Sequence, residues 1–193
     1  MKTALILVLI LAISSVVSAQ PPGSVAVYAD EMGGSCNVFE AGFVTLYFFH
    51  ITEAEMNAVE FVCDVTGVIG WTLLGDISPF MLKQGAFTNF PTTPPSSYGC
   101  AIAYRECLTG TIYLGKSNFL VTGATPDCTK IVVKNVPQPS IFGSNSPVAV
   151  VCPQGLVEIR GSYAYVNPDE TCQCSGTVPV ESHSWGQIKS LYK

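Results

Sequence analysis

The residues with the most distinctive chemistry are eight cysteines: Cys36, Cys63, Cys100, Cys107, Cys128, Cys152, Cys172 and Cys174. Zinc sites of the ribbon or finger type want two C-x-x-C knuckles, or cysteines with histidines at short spacing. Here the only close pair is Cys172-Gln173-Cys174, and the histidines are His50 and His183 alone. An even count fits a disulfide framework in an oxidising compartment. Cys172 and Cys174 are too close to bridge each other comfortably, so each is expected to reach back to an earlier loop.

Other chemistry is thinly represented. Nucleophilic catalysis needs a Ser or Cys with a His beside it. His50 ends an apolar run, His183 lies in a polar stretch, and Gly143-Ser144-Asn145-Ser146 reads as a turn before Pro147 and not as a nucleophile elbow. Glu60, Asp64, Asp76, Glu106 and Glu158 could supply the paired carboxylates of a glycosidase, but no motif surrounds them. A phosphate loop and an EF-hand loop are both missing. Asp30-Glu31 and Asn167-Pro168-Asp169-Glu170 offer oxygen ligands for calcium, although turn formation uses the same residue types. Catalytic, cofactor-binding and metal-binding residues are therefore expected to be none.

The start of the chain indicates the compartment. Lys2, the apolar run Ala4–Ile13 and the small residues of Val17-Ser18-Ala19 have the three parts of an export signal, cut near Ala19. No second stretch of about 18 apolar residues follows, so the mature chain is expected not to span a membrane by a helix. It keeps eight Lys and Arg, nine less Lys2, against fourteen Asp and Glu, a net −6. That sign argues against a nucleic-acid partner.

Elements that would position these residues read as β throughout. Ser24–Ala29, Phe43–His50, Ala58–Val65, Val68–Leu74, Cys100–Glu106, Thr111–Val121, Lys130–Val136, Val148–Cys152 and Leu156–Val166 are short and rich in β-branched and aromatic residues. Turn residues at Gly33-Gly34, Gly67, Thr109-Gly110, Pro137-Gln138-Pro139, Pro153-Gln154-Gly155 and Asn167-Pro168-Asp169 separate them. Pro91–Ser97 reads as a surface loop. The expectation is one all-β domain, an antiparallel β-sandwich of roughly eight to nine strands over residues 20–174. Residues 1–19 are the signal peptide, and 175–193 form a connector and a short helical or extended tail. Alternation puts Cys63 with Val59, Phe61 and Val65, and Cys100 with Ile102 and Tyr104, so both lie on core-facing sides. A Cys63–Cys100 bridge is the favoured pair. The other six cysteines fall at strand ends or in loops.

In the tail, Trp185, Ile188 and Leu191 with Tyr192 recur at helical spacing, with Lys189 and Lys193 off that stripe. Such a segment either docks on its own domain or is recognised by another protein.

The order of several motifs resembles a group of uncharacterised secreted bacterial β-rich proteins. These are Val27–Asp30 with Gly33–Cys36, Gly99–Tyr104 leading to Cys107, Asn167-Pro168-Asp169 before Cys172-x-Cys174, and the ending Trp185-Gly186-x-x-Lys189-x-Leu191-Tyr192. The strand order also resembles cohesin-like and immunoglobulin-like sandwiches. The first resemblance implies secretion, to the periplasm, cell surface or medium. The second implies a scaffold that hosts many functions. The reading is an exported, non-enzymatic β-module that binds protein or carbohydrate of the cell envelope, or serves a structural role there. Tyr98 and Tyr113 are candidate exposed contacts. The alternative is a secreted hydrolase using two carboxylates.

Overall fold

A computed structural model describes residues 23–90, 99–136, 145–153 and 155–174. Among the described residues it holds eleven strands and no helix. They are β1 (Gly23–Tyr28), β2 (Asn37–Val38), β3 (Phe43–Asp64), β4 (Trp71–Ile77), β5 (Leu82–Ala86), β6 (Gly99–Val121), β7 (Thr129–Lys134), β8 (Val148–Val151), β9 (Leu156–Glu158), β10 (Arg160–Gly161) and β11 (Tyr163–Val166). The fold is all-β, as expected, but the strand number and lengths differ from the sequence reading. The signal peptide, the Pro91–Ser97 loop, Tyr98, Ser144, His183 and the tail residues Trp185, Ile188, Leu191 and Tyr192 lie outside the described residues.

Two strands organise the sheet. β3 has 22 residues and β6 has 23, and they pair antiparallel from Phe43 opposite Leu120 to Phe61 opposite Cys100. The sequence reading breaks each in two. Both breaks are instead absorbed within continuous strands. The ladder shifts register between Thr52 and Met56, and Gly110 sits opposite Thr52 with φ +84°, a conformation that glycine adopts at little cost. A second shift falls between Phe48 and Phe49, where Gly115 (φ +141°) leaves room for Phe87 and the Ile77 carbonyl. Such irregularities bend a strand and increase its twist.

β3 changes partners as it bends. Its first half lies between β1 and β6, and its second half between β8 and β6. Val62–Asp64 then leave β6 for β7, which continues to β11 and β2. One strand thus links every part into a single curled sheet, where two separate sheets were expected. Its inner face closes on Leu46, Phe48, Phe61, Phe87, Phe119 and Ile131, all fully buried. Phe48 stacks on Phe87 with ring centroids 4.9 Å apart.

Six cysteines form three disulfides: Cys36–Cys174, Cys107–Cys152 and Cys128–Cys172. Two of these clamp the segment after β11, one to the approach to β2 and the other to the loop before β7. Cys63 and Cys100 both point into the core and are free thiols, so the favoured Cys63–Cys100 bridge is corrected. Register explains the miss. Cys100 lies opposite Phe61, which places Cys63 on the same face but one diagonal step away. Diagonal neighbours stand roughly 7–8 Å apart, beyond normal disulfide reach. Burial pushes both thiols up, Cys100 to about 12.

Candidate functional site

The outward faces of five neighbouring strands, in the order β9-β8-β3-β6-β5, form the candidate site. Their register aligns Leu156, Val150, Ala58, Ala103 and Leu82 in one row across the sheet. Two residues further along each strand, a second row runs Glu158, Val148, Glu60, Ala101 and Gln84. The row between them points inward, and Val59, Ile102 and Ala149 are buried. Strand alternation therefore puts both named rows on the outside.

Side-chain size gives this face its shape. The middle of the first row is alanine, while Leu156 and Leu82 at its ends are 42% and 56% exposed. The result is a shallow apolar trough of about 280 Å³ with small residues on its floor and leucines at its two sides. Four interstrand steps make it ~19 Å across. The second row adds an acidic margin, since Glu60 and Glu158 flank Val148. At the β5 edge Lys83 points inward, its Nζ 3.5 Å from Asp76 Oδ2 and 4.7 Å from the Phe87 ring centre. An inward-pointing lysine of this kind discourages a further strand from pairing there.

A second groove of about 480 Å³ lies beside β4, lined by the exposed Phe43, Leu74 and Ile77. Its floor is polar: Thr45 Oγ1 donates to Asn118 Oδ1 at 3.0 Å, and next to it Lys116 lies over the Tyr47 ring. It lacks the continuous apolar row that the five-stranded face presents.

The candidate carboxylates disperse. Asp64 is held at the end of β3 by Lys134, by Asn89 Nδ2 at 3.0 Å and by Thr66. Burial opposes its ionisation, but these donors outweigh it and keep the carboxyl at about 2. Asp76 turns inward and accepts from Ser117 Oγ at 2.6 Å and from the Phe87 N–H at 2.9 Å. Glu106 is exposed on β6, next to Arg105. Only Glu60 and Glu158 share a row. The calcium candidates serve their own turns. Asp30 accepts from the N–H groups of Met32, Gly34 and Ser35, and Asp169 accepts from Thr171. Cys128, Asp169 and Cys172 converge, but both sulfurs are spent in a disulfide.

Three further residues differ from the sequence reading. His50 is not at a strand end. It sits within β3, fully buried, its Nδ1 2.8 Å from the Tyr104 hydroxyl, while Nε2 has no partner. Burial lowers it to about 4. Tyr113 is half-buried against Phe49 and is not a free contact. Glu40 has no motif in the sequence to mark it, yet its carboxylate joins four segments. It accepts from Trp71 Nε1 at 2.5 Å, from the Thr125 N–H and hydroxyl, and from Asn167 Nδ2 at 3.0 Å. Burial would raise its pKa, but these bonds prevail and lower it.

No helix among the described residues is long and apolar enough to cross a membrane. No family model matches the chain, and no curated protein matches it. Solved structures with a loosely similar arrangement include the cohesin module of a family 33 glycoside hydrolase from Clostridium perfringens. It is 8% identical with a TM-score of 0.47, covering 78% of this chain and 100% of that one. Another is the sixth cohesin of scaffoldin B from Acetivibrio cellulolyticus, solved with a Cel5 dockerin mutant. It is 11% identical with a TM-score of 0.45, covering 76% of this chain and 99% of that one.

Proposed function

We propose that this protein is an exported, non-catalytic binding module whose five-stranded outer face receives an amphipathic segment of a protein. The observation that supports this is the row Leu156–Val150–Ala58–Ala103–Leu82. Exposed apolar residues scattered singly need no explanation, but a contiguous band rimmed by polar residues marks an interaction site. The alanine floor lets a helix backbone approach closely, and the flanking leucines give its apolar stripe something to pack between. Glu60 and Glu158 favour lysine or arginine beside that stripe. Secretion rests on the signal-like start together with the three disulfides, which persist in oxidising compartments. The 20–174 domain and the 175–193 tail are kept as the working division.

The test is capture of a defined protein from the envelope or medium by the immobilised mature chain. Ala103→Arg sets a charged chain on the trough floor and should abolish capture. Phe43→Arg, in the other groove, should leave it intact. The reverse pattern would move the site to the groove beside β4.

The hydrolase reading retains one observation: Glu60 and Glu158 lie two strands apart, ~10 Å between backbones. If it holds, the mature chain hydrolyses a polysaccharide and Glu60→Gln abolishes that activity.

A further inference from the structure

We infer that the segment Trp185–Lys193 of this chain is itself a ligand of the β9-β8-β3-β6-β5 face. The inference rests on the binding-face reading and names an occupant for it. Three observations support it.

The first is composition. Trp185, Ile188 and Leu191 with Tyr192 repeat at helical spacing, and Lys189 and Lys193 stand off that stripe. The face offers the complement: an apolar row for the stripe, and Glu60 with Glu158 beside it for the lysines. No other stretch of the mature sequence combines a tryptophan-led apolar stripe with two lysines in nine residues.

The second is size. As a helix, nine residues are ~13 Å long. The trough is ~19 Å across, so it accommodates one such segment with its side chains. A face this small suits a single short segment better than a globular partner, which would bury about 800 Å² on each side.

The third is where the segment starts. Cys174 is bonded to Cys36, and its N–H donates to Asn37 Oδ1 at 3.2 Å. Asn37 lies three strands from β3, and its row meets β7 at Lys130, before the β7 residues that pair with Asp64 and Val62. Counting strands and residues puts Asn37 ~25 Å from Glu60. Residues 175–184 reach at most ~35 Å when extended. The connector is therefore long enough to deliver Trp185 to the face within the same chain.

Zero-length carbodiimide cross-linking of the mature full chain at micromolar concentration reads the contact directly. Lys189 or Lys193 should be joined to Glu60 or Glu158 in the monomer, independent of dilution. Trp185→Ala with Ile188→Ala should remove the link. A labelled peptide of residues 183–193 gives the second readout. A tethered segment acts at millimolar effective concentration, so this peptide should bind the W185A/I188A chain at least tenfold more tightly than the unmodified chain. Adding Ala103→Arg should abolish that binding. The inference is overturned if no such link forms, if links appear only in covalent dimers, or if the peptide binds both chains alike or neither. If those tests fail while Ala103→Arg still abolishes capture of a partner protein, the face reading stands and only its internal occupant falls.

Discussion

The buried His50 makes stability depend on pH in a calculable way. Its ring is fully excluded from solvent, one nitrogen meets Tyr104, and the other has no partner to share a positive charge. Burial holds it at about 4 in the folded chain, against an ordinary 6.5 when unfolded. A lowered folded value means that the unfolded chain binds the proton first. The stabilisation from keeping His50 neutral is therefore complete above pH 6.5 and is lost as pH falls from 6.5 to 4. The full span is 2.5 pH units, or roughly 3.4 kcal/mol at 1.36 kcal/mol per unit. Between pH 7 and pH 5, before carboxylates contribute much, the loss is about 1.8 kcal/mol. Urea unfolding at pH 7, 6 and 5 measures it. The comparison is the wild type against His50→Gln, which keeps a partner for Tyr104 but does not titrate. The free-energy difference between the two should narrow by about 1.8 kcal/mol on acidification, whatever the variant costs outright. NMR titration of the His50 ring in the wild type is independent of the variant's folding. A difference that stays flat within about 0.5 kcal/mol, or a ring midpoint near 6.5, would refute the reasoning.

Cys63 and Cys100 should be invisible to a thiol reagent in the native protein and count as two after denaturation, since thiols with raised pKa and no exposure do not react. Native labelling, or no thiols in denaturant, would contradict the free-thiol assignment. Replacing Cys107 and Cys152 by serine opens a closed loop with a sequence separation of 45, and should cost about 4 kcal/mol in denaturant unfolding. Glu40→Ala leaves Trp71 Nε1 and the Thr125 N–H without their acceptor, while Asn167 Nδ2 keeps the Thr125 carbonyl, and should cost about 3 kcal/mol; Glu40→Gln, which keeps one oxygen, should cost less.

What the sequence reveals and conceals follows from the range of each interaction. Side-chain alternation is local, so Ala58–Val65 and Cys100–Glu106 read correctly as core-facing at Cys63 and Cys100. Whether the two sulfurs meet depends on register between strands, which no single strand encodes. Cys100 opposite Phe61 places them one diagonal step apart. Turn-forming residues misled for a related reason. Gly110 permits a turn, but pairing with β3 on the other side uses the same freedom to bend a continuous strand. Leu82–Ala86 (LKQGA) has no strand pattern of its own and exists as β5 because the edge of β6 is free to pair with it. The five-stranded outer face is the extreme case. Ala58, Ala101 and Ala103 say nothing individually, and Leu82 and Leu156 are separated by more than seventy residues of sequence. Only when four ladders align them does a row of small residues between two leucines become a trough. Its acidic margin arises in the same way from Glu60 and Glu158, which look like scattered solvent-facing charges in their own strands. The two halves of the proposed tail contact are legible at different levels: the lysine-flanked apolar stripe is readable in the sequence, and the outer face exists only in the folded sheet.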